Sequence, residues 1–129
     1  MKLIYNAIKC NHCGEILVSY HRHDFKMCSC EKVGVDGGTE YLKRIGEQQD
    51  MTELSQYDNI PYKEIRKFVH WGKNYTADNK LLPRTKWIPL ENLETEHLET
   101  LIEMKLGSDF YKVMFIKELQ YRMLDEEEI

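Results

Sequence analysis

Cys10-Asn11-His12-Cys13 and Cys28-Ser29-Cys30 are the two stretches that decide the fold of this chain. They hold all four cysteines of the 129-residue sequence. Zn²⁺ binds deprotonated sulfur strongly, and two closely spaced cysteine pairs are typical of a tetrahedral zinc site. The spacing therefore predicts a closed Cys₄ site that uses Cys10, Cys13, Cys28 and Cys30, with Zn as the cofactor.

Short strands are predicted on both sides of the cysteine pairs. Residues 3–9 lead into the first pair, and residues 15–20 are β-branched and aromatic enough to return from it. Residues 32–39 predict a strand and a turn. Residues 40–46 fit a third strand or a short helix, and we prefer the strand. Residues 1–47 are thus predicted to form a zinc ribbon of antiparallel strands, to which the metal contributes on the order of 10 kcal/mol.

Three histidines, His12, His21 and His23, lie within or between the cysteine pairs. One hypothesis makes one of them a metal ligand in place of a cysteine, or part of a catalytic site. The other places them outside the ligand set, and we favour it because four cysteines leave no open position on the metal. In the same loop, Asp24 is predicted to accept backbone N–H bonds, and Phe25 to pack beneath the metal.

The second segment, residues 48–129, is predicted to be a small, mainly helical unit. Residues 51–57 predict a short strand, and a helix begins near Pro61 and ends at Trp71-Gly72. Residues 73–86 read as a loop, and Pro89 marks the end of an extended stretch. Two further helices, separated by Gly107-Ser108, predict a C-terminal helical hairpin. The predicted fold class is therefore α+β: a zinc ribbon followed by a helical unit.

Composition restricts the class of protein. Hydrophobic residues make up 42% of the chain, enough for a folded core. No apolar run reaches the about 18 residues that a transmembrane helix requires, and the first residues lack the features of a signal peptide. These observations predict a cytoplasmic protein that does not contact the membrane, a location that favours reduced cysteines.

Charge is distributed unevenly along the chain. Residues 60–90 contain seven cations and two acids, whereas residues 91–129 contain four cations and eleven acids. One interpretation of the basic segment is a nucleic-acid surface, for which the candidate residues are Lys63, Arg66, Lys67, Trp71 and Lys86. The alternative, which we favour, is that the aromatic residues are core and the cations pair with the acidic helices.

The last helix carries apolar residues around most of its circumference. This pattern indicates burial between elements or a surface for a protein partner. The candidate partner-binding residues are Tyr111, Met114, Phe115 and Tyr121. No phosphate-binding glycine loop and no zinc-deaminase signature is present, so the sequence provides no positive case for an enzyme.

Four stretches around the cysteines carry a family resemblance: Ile8-Lys9-Cys10-Asn11-His12-Cys13-Gly14, His23-Asp24-Phe25-Lys26-Met27-Cys28-Ser29-Cys30, Val35-Asp36-Gly37-Gly38 and Tyr41-Leu42-Lys43-Arg44. Over roughly residues 6–46 the chain resembles small zinc-ribbon-like proteins found mainly in tailed phages and prophages. Trp87-Ile88-Pro89-Leu90 followed by His97-Leu98 adds a second likeness to small phage accessory proteins.

The resemblance implies a phage-type accessory protein that acts in the cytoplasm of a host cell. We therefore expect a non-enzymatic protein-binding module that inhibits a host or antiviral-defence factor. The first alternative is a nucleic-acid-binding zinc-ribbon protein. The second alternative is a metal-associated hydrolase or nuclease that uses histidines near the metal.

Overall fold

The computed structural model describes residues 1–76 and 78–128. Over these residues the chain forms antiparallel sheets and three helices, which confirms a mixed α+β fold. The strands are β1 (Leu3–Cys10), β2 (Ile16–Ser19), β3 (Lys26–Met27), β4 (Gly34–Asp36), β5 (Lys43–Ile45), β6 (Met51–Glu53), β7 (Gln56–Tyr57), β8 (His70–Tyr75) and β9 (Leu81–Pro89); the helices are α1 (Tyr62–Phe68), α2 (Thr95–Glu103) and α3 (Asp109–Glu128).

The central strand of the molecule is β1. Its second half pairs with β2 on one side, from Asn6 opposite Ser19, and with β6 on the other, where Cys10 lies opposite Met51. Its first half pairs with β7. Because β6 and β7 follow residue 47, this sheet draws on both sides of the predicted boundary between residues 1–47 and 48–129.

A second antiparallel sheet has the strand order β3-β4-β5. The turn between β3 and β4 carries the second cysteine pair. The strand preferred for residues 40–46 is confirmed, since β5 pairs with β4 from Gly34 opposite Ile45 to Asp36 opposite Lys43.

The predicted loop over residues 73–86 is wrong, because β8 and β9 form a β-hairpin there. Trp71 lies opposite Ile88, and Gly72 lies opposite Trp87. The Trp87 ring lies against Gly72, where an added Cβ would stand 3.2 Å from two of the ring carbons. As a result α1 ends at Phe68 rather than at residues 71–72, and the unit after residue 47 contains a hairpin as well as helices.

The buried apolar residues form two clusters. The first, here the cysteine core, contains Ile8, Cys10, Leu17, Cys28, Val33 and Val35. The second, here the helix core, contains Tyr5, Ala7, Ile16, Val18, Leu54, Ile65, Val69, Leu90, Leu93, Leu98, Leu101, Tyr111, Met114 and Phe115. Side chains of β1 alternate between the two faces of its sheet. This alternation sends Tyr5 and Ala7 into the helix core and Ile8 and Cys10 into the cysteine core.

The helices α2 and α3 are joined by residues 104–108 and pack against each other. Among the residues that the structure describes, no helix is both long and apolar enough to cross a membrane.

Candidate metal centre

The two cysteine pairs lie in the turns of two hairpins. Cys10 is the last residue of β1, and its carbonyl accepts the N–H of Gly14 at 2.9 Å. Gly14 has a φ of 76°, a conformation that costs a glycine little. In the second turn, the carbonyl of Cys28 accepts the N–H of Glu31 at 2.9 Å. Both turns are closed by backbone hydrogen bonds, which fix the backbone that carries the thiols.

The four thiol groups converge on one point. Cys10 Sγ lies 3.5 Å from Cys30 Sγ, and Cys28 Sγ lies 3.4 Å from Cys30 Sγ. All four sulfur atoms lie within 4.8 Å of one another. A tetrahedral Zn–S distance of about 2.3 Å places sulfur atoms about 3.8 Å apart, whereas a disulfide requires about 2.05 Å. The four free cysteines therefore fit a tetrahedral metal site.

Burial differs across the cluster. Cys10 and Cys28 are buried at the edge of the cysteine core, Cys13 is half-buried, and Cys30 is exposed. One side of the site is thus covered by the core and the other is accessible from solvent.

Cys10 and Cys30, one from each hairpin turn, differ in the pKa of their thiols. Burial disfavours the Cys10 thiolate, but N–H groups of Cys13 and His12 and neighbouring thiols outweigh it and lower its pKa to about 6. The N–H of Lys32 favours the Cys30 thiolate, but the neighbouring thiols, Cys28 foremost, raise the Cys30 pKa to about 12. A bound cation favours the thiolate form of all four cysteines.

Glu15 links the two turns and was not singled out by the sequence. Its Oε2 accepts the Ser29 N–H at 2.9 Å and the Ser29 hydroxyl at 2.7 Å. Ser29 stands between Cys28 and Cys30, so Glu15 positions the second ligand pair from the end of the first turn. Hydrogen bonds of this kind orient metal ligands.

A buried amide holds the two small sheets together. Asn6 is fully buried in β1, and its Nδ2 donates to the carbonyls of Asp36, Gly38 and Tyr41 at 3.1, 2.8 and 3.3 Å. Its Oδ1 accepts from Arg44 at 2.8 Å. Every polar group of this amide is therefore satisfied between β1 and the segment that follows β4.

The three histidines have partners other than a metal. His12 Nε2 lies 2.6 Å from Asp50 Oδ1, and His23 Nδ1 lies 3.0 Å from the Tyr41 hydroxyl. His21 Nδ1 lies 3.1 Å from the carbonyl of the next residue. Over residues 1–76 and 78–128, the four cysteines are the only group of three or more His, Cys, Asp or Glu side chains placed to hold a metal.

The loop between the cysteine pairs agrees with one prediction and contradicts another. Asp24 Oδ2 accepts the N–H of Tyr20 at 2.8 Å, as predicted for a turn carboxylate. The prediction that Phe25 packs beneath the metal is wrong, because the residue is 55% exposed.

Two of the nucleic-acid candidates, Arg66 and Trp71, make their contacts within the fold. Arg66 forms a bidentate pair with the buried Glu118, at 2.9 Å from Nε and 2.7 Å from one terminal nitrogen. Trp71 packs edge-on against Tyr111 and Phe115, with both ring centroids 5.1 Å away.

The other three nucleic-acid candidates, Lys63, Lys67 and Lys86, are exposed. Lys67 lies 3.7 Å from Glu64 on α1. Lys63 also lies on α1, whereas Lys86 lies on β9, a strand that contacts α1.

The predicted partner-binding residues lie largely in the helix core. Tyr111, Met114 and Phe115 are 2%, 4% and 0% exposed, so they cannot contact a partner in this conformation. Tyr121 is half-buried beneath the Arg66 guanidinium, whose carbon lies 4.5 Å above the ring centroid. The apolar residues that α3 exposes are different ones.

Comparison with known proteins finds one family model, which covers the cysteine-containing part of the chain. A family model described as Domain of unknown function (DUF7695) matches residues 2–46, which include all four cysteines and the strands β1 to β5. No curated protein and no solved structure matches the chain. The similarity therefore covers the cysteine core and ends before β6.

Proposed function

We propose that the chain is a zinc-stabilised, non-enzymatic protein-binding module. In this proposal zinc closes the cysteine core as a zinc ribbon, and α3 makes the contact with the partner. The sulfur spacing supports zinc, because four thiolates at these distances suit a tetrahedral, borderline-soft cation. A closed Cys₄ shell leaves no position for substrate, so the function is expected elsewhere on the surface.

The observation that carries the proposal is an apolar strip on the outside of α3. Its members, here the α3 outer face, are Val113, Ile116, Met123 and Leu124, which are 50%, 46%, 70% and 56% exposed. With 3.6 residues per turn, these four residues fall within an arc of about 100° around α3, so they share one side of the helix. Contiguous exposed apolar surface is typical of protein interaction sites.

The α3 outer face continues into a cleft next to the start of the helix. This cleft, here the α3 cleft, has a volume of about 430 Å³. Its walls are Ile4, Ile60, Tyr62, Ile65, Phe110, Val113 and Met114, with Asp58, Asp109 and Lys117 beside them. Ile4 and Cys10 stand six residues apart on β1, about 20 Å. The contact surface therefore lies at the opposite end of β1 from the metal.

The class of partner in this proposal is taken from the resemblance to phage and prophage proteins. That resemblance rests on nearly the same residues that the family model matches. We include in the proposal that the chain acts in a host cell and inhibits a host or antiviral-defence protein. The exposed apolar face supports a tightly packed inhibitory complex, because inhibitors gain affinity from apolar anchors buried at the interface centre.

A matched pair of variants tests the proposal. Ile116→Asp places a charge on the α3 outer face, and Leu81→Asp places the same charge on an apolar residue of β9 that is 72% exposed. We expect host proteins that bind the wild-type chain to be lost with Ile116→Asp and kept with Leu81→Asp, as measured by affinity capture and mass spectrometry. Equal capture by both variants would overturn the proposal.

A second candidate, nucleic-acid binding, is favoured by one feature of the hairpin. Lys73 and Lys86 are cross-strand partners, and Trp87 next to Lys86 is half-exposed. Two like charges placed opposite each other destabilise a sheet unless an anion binds between them. Fluorescence anisotropy with single-stranded DNA and RNA tests this candidate; affinity should fall with salt and with Lys86→Glu.

A further inference from the structure

We infer that the α3 cleft receives an amphipathic helix of the partner, with an apolar anchor side chain in the cleft and basic residues on either side of that anchor. The inference rests on the proposed function and adds the chemistry of the partner to it. It follows from the shape of the cleft, the charge around it and the strip of α3 that leads away from it.

The cleft has the size and lining of an anchor pocket. Its volume of about 430 Å³ lies in the range of protein pockets that bury an apolar group. Ile4, Ile60 and Phe110 are half-buried around it, so part of their apolar surface remains in contact with water. Filling the cleft with an aliphatic or aromatic side chain removes that surface from water, which is favourable.

The α3 outer face determines the shape of the occupant. Val113 lines the cleft, and Met123 lies ten residues further along α3, about 15 Å. A straight strip of this length with apolar side chains at helical spacing matches the apolar face of a second helix. A small molecule would fill the cleft but leave Ile116 and Met123 uncovered.

The charge at the rim of the cleft determines the sign of the charge expected on the partner. Asp58 and Asp109 line the cleft and are both exposed. Asp58 Oδ1 accepts the backbone N–H of Lys2 at 2.8 Å, and Asp109 begins α3, where the helix dipole stabilises a carboxylate. In the described part of the chain, neither carboxylate has a cationic side chain within 4.0 Å.

Lys117 is the cation that lines the cleft, so the two carboxylates leave a net negative rim. Complementary charge steers association and selects the partner. A helix that presents lysine or arginine beside its anchor therefore matches this rim, and a helix that presents glutamate does not.

The probes are two amphipathic helical peptides, one built from leucine and lysine and the other from leucine and glutamate. Isothermal titration calorimetry with the full chain should detect binding of the leucine–lysine peptide alone. Asp58→Asn with Asp109→Asn should weaken this binding about fivefold, since two exposed ion pairs contribute about 1 kcal/mol together. Asp78→Asn with Glu99→Gln removes two exposed charges elsewhere and should leave the affinity unchanged.

Two further variants separate apolar contact from general attraction of a basic peptide. Val113→Asp adds a negative charge but places it in the apolar lining of the cleft, so binding of the leucine–lysine peptide should be lost. Lys117→Glu makes the rim more acidic, so binding should tighten, a gain that misfolding cannot produce. Circular dichroism of each variant checks that the helices are intact.

The outcomes distinguish this inference from the proposed function. If both peptides bind equally, if neither binds, or if the control pair Asp78→Asn and Glu99→Gln weakens binding as much as the rim pair, the inference is overturned. Loss of host-protein capture with Ile116→Asp would then still support the proposed function. If Ile116→Asp captures the same proteins as the wild type, the proposed function itself fails.

Discussion

The cysteine core buries six residues, of which two are ligand cysteines, whereas the helix core buries fourteen. The first buries little apolar area to offset the entropy of ordering its strands, and the proposed zinc would add to its stability. The second is closed by aromatic rings, with Tyr111 and Phe115 against Trp71. With the proposed zinc bound, one end of this short chain would be stabilised by ligand chemistry and the other by packing.

The two cores are not independent, because β1 contributes side chains to both. They can still be followed separately, since both tryptophans of the chain, Trp71 and Trp87, pack against the helix core. Tryptophan fluorescence therefore reports the helix core, and metal content reports the cysteine core.

The largest effect is expected from removing one metal ligand. Cys10→Ser should abolish tight metal binding and with it on the order of 10 kcal/mol of metal-linked stabilisation. We expect hydrogen exchange of β2 to β5 to become fast while α1, α2 and α3 remain protected, as measured by mass spectrometry.

The matched control is His12→Ala in the same turn, which should keep its metal because His12 contacts Asp50 instead. Simultaneous loss of protection in the helices and in β2 to β5 of Cys10→Ser would show that the two cores form a single cooperative unit.

The next effect in size concerns the buried carboxylate of the helix core. Glu118 is fully buried and accepts bonds from Arg66, Arg122 and the Tyr62 hydroxyl at 2.7–2.9 Å. Glu118→Ala leaves two guanidinium groups without their partner and should cost about 3 kcal/mol. Urea unfolding followed by tryptophan fluorescence measures this loss.

Glu91→Ala is the control for this prediction, because Glu91 lies 3.7 Å from Arg66 but is 31% exposed at its side chain. It should cost less than 1 kcal/mol. Equal losses in the two variants would mean that burial of Glu118 adds nothing to the ion pair.

Lowering the pH should destabilise the two cores at different pH values, without any substitution. Burial disfavours the Glu118 carboxylate, but Arg66, Arg122 and Tyr62 outweigh it and hold its pKa below the usual value of a glutamate. The stabilisation by Glu118 is thus complete above its unfolded pKa of about 4.3 and is lost as pH falls through the lower folded value. The loss should be smaller than in Glu118→Ala, since a neutral carboxyl still accepts hydrogen bonds.

In the cysteine core, protons compete with the metal for four thiolates, whose pKa values are intrinsically higher than those of carboxylates. Metal release should therefore occur at a higher pH than the change in tryptophan fluorescence. Dialysis at stepped pH with a zinc assay and a fluorescence reading compares the two midpoints. Coincident midpoints would contradict the separation.

Local sequence signals were sufficient for the cysteine core but not for the helix core. Cysteine spacing and the flanking β-branched residues predict β1, β2 and the cysteine cluster because each signal lies within a few residues, whereas residues 40–46, which contain β5, fit a strand or a short helix. The β8–β9 hairpin was missed because Trp71 and Trp87 reveal their roles only once the two strands are paired. The apolar circumference of α3 likewise does not tell which side faces the core, so Phe115 was assigned to a partner surface and Ile116 was not.

A smaller effect should come from Glu15, whose role no local signal indicates because its partner Ser29 is fourteen residues away. Glu15→Gln weakens the two bonds that hold the second cysteine pair, and metal affinity should fall about tenfold. Competition with a chromophoric chelator measures this change. Glu31→Gln removes an exposed charge from the same turn and should leave affinity unchanged; equal effects would indicate a general loss of negative charge.

The smallest effects concern two cross-strand pairs, one at each end of the molecule. Lys73 faces Lys86 in the hairpin, whereas Asp36 faces Lys43 in the sheet next to the cysteines. Lys86→Glu turns a like-charged pair into an opposite pair and should stabilise by about 0.5 kcal/mol, whereas Lys43→Glu does the reverse and should destabilise by a similar amount.

Urea unfolding of the two variants side by side measures both signs, and each substitution serves as the control for the other because the change in charge is the same. If Lys86→Glu destabilises as Lys43→Glu does, the local charge of the hairpin is already balanced by the glutamates of α2 that line the same groove, Glu96 and Glu99. In that case Lys73 and Lys86 no longer support nucleic-acid binding. The α3 outer face then remains as the proposed contact surface.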